Sequence, residues 1–169
     1  MILNINSDAS YLSESQTRSS ATGYFYLGDV PTDGKLTAIK GPIYVMCGIL
    51  KFVVTLAAEA ELGALFLNCK EGKILQLTLE EMGHPQPPTP VHVDYITAVG
   101  IANDSVKKQR SRSMEMRFFW VTDQVKNKQY LLKWHPGMEY LADYITKQFT
   151  IIVEMGLDSR APWYFDRTN

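Results

Sequence analysis

The chain has 169 residues, one domain's length, with 46% hydrophobic and 21% charged residues, a composition that excludes general disorder. No apolar run reaches the ~18 residues of a membrane span, and Met1 to Ser10 has neither the basic start nor the apolar run of a signal peptide, so an intracellular, non-secreted protein with no membrane partner is expected. The net charge of −1 hides an asymmetry: Ser105 to Lys133 holds eight basic residues and two acidic ones, while the rest holds nine basic and sixteen acidic. One segment is therefore basic enough to meet phosphates, although on charge alone a solvated basic helix is the plainer reading. Cys47 and Cys69 are expected to be buried, reduced thiols.

Met1 to Asp8 (MILNINSD) alternates apolar and polar residues, a strand pattern that ends in a carboxylate. Ala9 to Ser20 is Ser-rich and polar, the composition of a loop. Ala21 to Leu27 (ATGYFYL) reads as a second strand closed by Gly28-Asp29, and Gly41-Pro42 introduces a third, Ile43 to Met46. These three form an antiparallel meander. From Ala57 the Ala, Leu and Glu content predicts a helix to about Glu81, with Thr55 as its N-cap and Gly72 as a break. His84 to Pro90 (HPQPPTP) cannot continue a helix and forms a stiff connector. Val91 to Asp94 is a short strand, again ending in a carboxylate. Ile96 to Ala102 reads as a short helix and Met114 to Val125 as a longer aromatic one. Tyr130 to Trp134 is the last strand, and a final helix covers Leu141 to Lys147. The order is βββαβααβα, an α/β sheet of mixed direction.

The sequence has no phosphate-binding glycine loop, no paired-cysteine or His-Glu-x-x-His zinc motif and no Gly-x-Ser-x-Gly elbow. His84, His92 and His135 are scattered without ligand spacing. Four acids instead fall at element ends: Asp8, Glu61, Asp94 and Asp143. Strand ends and helix starts of an α/β sheet can converge on one edge. Carboxylates gathered there repel unless a hard cation joins them, and magnesium takes oxygen ligands and shares them with substrate phosphates. Two such ions ~3.5–4 Å apart activate a water and stabilise the leaving oxygen of a phosphodiester. Spacing alone allows the blander alternative, since eighteen acids will place a few near element ends by chance.

The strings LNINSDASYLSE, AAEAELGALFLNCKEG, LEEMGHPQPPTPVHVD, TAVGIAND, KKQRSRSMEMRFFWVTDQV, WHPG and LADYITK occur in this order. Together they resemble the ribonuclease H domain that follows the reverse transcriptase in copia-type LTR retrotransposon polyproteins. The resemblance runs over 1–149 and leaves 150–169 as a C-terminal tail. It implies a ribonuclease H-like α/β fold with a mixed five-stranded sheet and helices packed on it. It also implies an endonuclease that hydrolyses the RNA of RNA–DNA hybrids with two Mg²⁺ ions, Mn²⁺ being a substitute. By the resemblance Asp8, Glu61, Asp94 and Asp143 are the catalytic metal ligands. Glu59 is the rival of Glu61: two residues turn ~200° around a helix, so only one of them faces the sheet edge. The helix is apolar nearly all round and periodicity does not choose, but the motif with Leu62-Gly63-Ala64 favours Glu61.

The resemblance further implies that His135 assists proton transfer or product release, against the alternative of a plain surface histidine. It places Lys107, Lys108, Arg110 and Arg112 on the hybrid backbone, which is read by shape and 2′-hydroxyls more than by base edges. Phe118, Phe119 and Trp120 read as core. The expected partners are the hybrid and the reverse transcriptase domain of the same polyprotein. Two departures stand beside ligand positions, Tyr95 and Tyr140, where the family commonly has Asn. They keep open a catalytically silent copy that acts as a nucleic-acid-binding or structural module. An integrase or exonuclease of the same fold is disfavoured by the LAD ending.

Overall fold

The structure, a computed structural model, describes residues 1–14, 18–29, 41–94, 100 and 112–134. Among the described residues the strands and longer helices follow one another as β1 (Ile2–Glu14), β2 (Arg18–Gly28), β3 (Pro42–Ile49), α1 (Ala57–Glu81), β4 (Thr89–Val93), α2 (Arg112–Lys126) and β5 (Tyr130–Trp134). They build one sheet in the order β3-β2-β1-β4-β5. β1, β2 and β3 form the antiparallel meander, whereas β4 joins β1, and β5 joins β4, in parallel. Of the expected helix over Ile96 to Ala102 only Gly100 is described, and it is helical; the expected helix over Leu141 to Lys147 and the tail 150–169 lie outside the described residues.

Alternation decides what enters the core. Leu3 and Ile5 of β1, Val91 and Val93 of β4, and Tyr130 and Leu132 of β5 sit two residues apart and share one face. With Phe25 they pack against Leu65 and Cys69 of α1 and Val121 of α2. Phe66 and Trp120 extend this cluster with an edge-to-face contact, ring centres 5.4 Å apart. A smaller cluster of Ala21, Leu50, Ala60 and Ala64 lies toward the start of α1. Of the aromatic triplet Phe118 is buried and Trp120 half-buried, but Phe119 is exposed, as three directions around a helix require.

Four local expectations are corrected. Most of the Ser-rich stretch assigned to a loop is strand: β1 runs on to Glu14 and β2 starts at Arg18, through an irregular register between Ser10 and Glu14. Leu12, at φ 53°, takes up the left-handed backbone there, and its N–H donates to Ser19 Oγ at 3.1 Å. α1 passes through Gly72 without a break. A side chain at Gly72 would run into the buried Ile5 and approach the Tyr130 hydroxyl, so this glycine lets the helix lie close on the sheet. The N-cap is Leu56 rather than Thr55 and has no side-chain cap; Glu59 instead accepts from the Thr55 N–H and Oγ1–H, both at 2.7 Å. At the far end Gly83, at φ 84°, closes α1 with its N–H on Glu80 O and the His84 N–H on Leu79 O. Both cysteines are free as expected, but Cys47 is exposed on the edge strand β3 and only Cys69 is buried. No helix among the described residues is long and apolar enough to cross a membrane.

Candidate metal centre

The sheet topology brings two of the acids level. In the parallel pair β1–β4, Ile5 stands beside Val91 and Asn6 beside His92. Two residues further along each strand lie Asp8 and Asp94, on neighbouring chains ~4.8 Å apart. Asp94 follows directly on the last residue of β4, where its backbone carbonyl accepts from the Trp134 indole N–H at 2.8 Å. Asp8 is nearly fully buried and pairs with Thr22 across the β1–β2 ladder. The third acid arrives from above. α1 starts at Ala57, and Glu61 stands where its second turn begins.

One carboxylate oxygen from each of Asp8, Glu61 and Asp94 lies within 4.8 Å of the other two. Among the described residues this is the one such group of potential metal ligands. Glu59, the rival on α1, is turned toward Thr55 and held there by the two bonds already described. The ~200° between the two positions thus resolves in favour of Glu61. His92 is fully buried in β4 and is not part of the cluster.

Electrostatics follow from the crowding. Burial pushes the Glu61 carboxyl up to about 9, with the charges of Asp8 and then Asp94 adding to the effect and the backbone N–H of Ala9 opposing it. Its Oε2 is buried without a hydrogen-bond partner. A buried carboxylate oxygen in that position needs either a proton or a cation. The donor set consists of hard oxygens held close together, which suits a divalent cation such as Mg²⁺ and not a zinc site of nitrogen and sulfur.

The fourth expected ligand, Asp143, lies outside the described residues, as do His135, Lys107, Lys108, Arg110 and the departures Tyr95 and Tyr140. Arg112 opens α2. Arg117, within the same basic segment, lays its guanidinium over the Phe52 ring, 4.0 Å from its centre. Asn68 of α1, whose buried Nδ2 donates to Ser7 Oγ next to Asp8 at 2.8 Å, is not singled out by the sequence. The one signal was an amide inside the apolar run Ala64 to Cys69.

No protein-family model matches the chain, and no curated protein does. Solved structures do. LC11-RNase H1, in its crystal structure with an RNA/DNA hybrid, is 12% identical, with 92% of this chain and 99% of that one covered at a TM-score of 0.61. A second structure of LC11-RNase H1, which was isolated from compost by a metagenomic approach, gives 14% identity, 93% and 99% coverage and a TM-score of 0.58. RNase H1 from the halophilic archaeon Halobacterium salinarum gives 7% identity, 86% and 94% coverage and a TM-score of 0.57. The likeness is one of fold. This chain has the ribonuclease H-like α/β fold, with a five-stranded mixed sheet and helices packed on it.

Proposed function

We propose that this chain is a metal-dependent ribonuclease H that hydrolyses the RNA strand of RNA–DNA hybrids. The observation that carries the reading is the convergence of Asp8, Glu61 and Asp94 at the sheet edge of a ribonuclease H-like fold. The similar LC11 protein in complex with an RNA/DNA hybrid supports the substrate class. Asp8 offers a charged oxygen from within the long strand β1, not from its end as expected, and Asp94 one from just past the end of β4; Glu61 adds a third when it gives up its proton. Asp143 is proposed as the fourth ligand, which makes room for two Mg²⁺ ions, or Mn²⁺ in their place. When bound, such ions supply an activated water and charge stabilisation for the leaving oxygen of the phosphodiester. The protein's own part is to hold the carboxylates in place and, at His135, to move a proton during turnover or release.

The finer reading rests on the motifs. The SDAS strand, the EAEL helix start and the LADYITK ending support a copia-type retrotransposon origin, with the reverse transcriptase of the same polyprotein as partner and an intracellular particle or the nucleus as location. Lys107, Lys108, Arg110 and Arg112 are proposed to hold the hybrid backbone.

A labelled RNA–DNA hybrid incubated with and without Mg²⁺ tests the activity. Cleavage of the RNA strand only, dependent on the metal, is expected. Asp8→Asn and Asp94→Asn should abolish it with the fold intact, because an amide brings no charge to the cation. If the wild-type chain binds hybrid but cuts none in Mg²⁺ or Mn²⁺, it is a silent nucleic-acid-binding module.

A further inference from the structure

α1 runs antiparallel to β1, and the contacts between them climb in matched steps. Gly72 lies against Ile5, Asn68 meets Ser7, and Ala64 shares a cluster with Ala9. Four helical residues advance ~6 Å and two strand residues ~6.8 Å, so each rung repeats the one before. Glu61 comes about one turn beyond Ala64, and its carboxyl lies beside the Ala9 N–H and Asp8. The rungs at Gly72 and Ala64 are apolar contacts without direction. The rung at Asn68 is different. Its amide is fully buried and Nδ2 donates twice, to Ser7 Oγ and to the Thr22 carbonyl, each at 2.8 Å. Ser7 precedes Asp8 in β1, and Thr22 is the residue opposite Asp8 in β2. The sheet is shaped for this side chain: a Cβ at Gly23 would overlap its Oδ1.

We infer that Asn68 is the positioning residue of the metal centre: clamped to Ser7 and Thr22, it fixes the height of α1 along β1 and thereby the place of the Glu61 carboxyl beside Asp8 and Asp94. Its consequence for metal binding rests on the function proposed above; the clamp itself does not. Groups that hydrogen-bond a metal ligand directly cost 10- to 100-fold in metal affinity when removed; Asn68 acts one contact further out, through Ser7 and Thr22, so the low end of that range is expected.

Gln76 supplies the control. It is also buried on α1, and its Nε2 ties the far half of the helix to Thr89 Oγ1 at 2.7 Å and to Gln129 O at 3.1 Å. Asn68→Ala and Gln76→Ala should both lower the melting temperature. Only Asn68→Ala should raise amide hydrogen exchange at Ala9 and over residues 59–65, by roughly tenfold relative to Gln76→Ala, and weaken Mg²⁺ binding by calorimetry roughly tenfold. Ser7→Ala, which removes one of the two acceptors, should lie between wild type and Asn68→Ala and serves in its place if Asn68→Ala does not fold. Equal exchange at Ala9 in the Asn68 (or Ser7) and Gln76 variants overturns the inference, as does unchanged Mg²⁺ affinity beside a lowered melting temperature. A wild-type chain that binds no Mg²⁺ removes the proposed function instead, and the exchange comparison still decides the role of Asn68.

Discussion

Glu61 shows what a single crowded carboxyl does to the protein around it. Burial, Asp8 and Asp94 together lift it from 4.5 to about 9, so at neutral pH the metal-free protein holds a proton there. The unfolded chain releases that proton near 4.5 while the folded one keeps it. The Glu61 contribution to stability is thus fully present below 4.5 and is lost as pH rises through about 9. Thermal melting of the metal-free protein should therefore show a fall in stability between pH 5 and 9 that Glu61→Gln reduces, because the amide keeps the shape and has nothing to ionise. Mg²⁺ binding near pH 7 should release a proton, seen as a dependence of the binding heat on the buffer, and Glu61→Gln should lose both that proton and hybrid cleavage. A pH-independent melting temperature in wild type would contradict this account. The choice of Glu61 over Glu59 was legible only through the motif. Hydrophobic periodicity is silent on a helix that is apolar nearly all round, and the engagement of Glu59 with Thr55 is a contact that no pattern announces.

At the scale of the element, α1 explains where reading the chain succeeds and where it stops. Its existence and span from Ala57 to Glu81 follow from Ala, Leu and Glu content. Gly72 reads as a break because propensity scales know only the cost of glycine in a helix, not the proximity of Ile5 that demands it. Gly72→Ala sets these against each other: about 1 kcal/mol of helix propensity is gained, and overpacking against a buried side chain costs about 1–3 kcal/mol. The clashing atom is the terminal Cδ1 of Ile5, which is fully buried among core neighbours, so a net loss of about 1 kcal/mol is expected in denaturant unfolding. A stabilised variant would mean that helix and sheet can part without penalty. The Ser-rich stretch fails for a related reason. Tyr11 and Leu12 are exposed, so the outer part of β1 is kept in the ladder by backbone pairing and not by an alternating apolar face.

For the molecule as a whole, the mixed sheet was legible because three strand patterns precede the helix and two strands alternate with helical stretches after it. Asp94 was legible as an acid at a strand end, but Asp8 was not, because β1 runs on past it to Glu14; nor was the register that makes the two level, since pairing between distant strands leaves no local trace. Charge distribution sets the remaining expectation. Acids gather at the sheet edge, whereas Ser105 to Lys133 is strongly basic. Replacing Lys107, Lys108, Arg110 and Arg112 together with Ala should weaken hybrid binding and flatten the slope of log affinity against log salt by roughly two to four units. Turnover of bound hybrid and sequence preference should change little, because backbone contacts position a duplex without reading it. An unchanged slope would assign the duplex to another surface.

β1 has its antiparallel partner β2 directly after it and its parallel partner β4 beyond both β3 and α1. The first side needs only a local hairpin closure, whereas the second needs a long loop to close, which topology makes the slower event. A growing chain can therefore assemble the meander and α1, with Asp8 and Glu61 already in place, before Asp94 exists as a neighbour. The third carboxyl is delivered by the docking of β4, so the mutual repulsion of the acids is concentrated in that late step. A divalent cation at the proposed site would offset it only after the strand has arrived, so added Mg²⁺ should slow unfolding from the β4 side and do little for the first encounter.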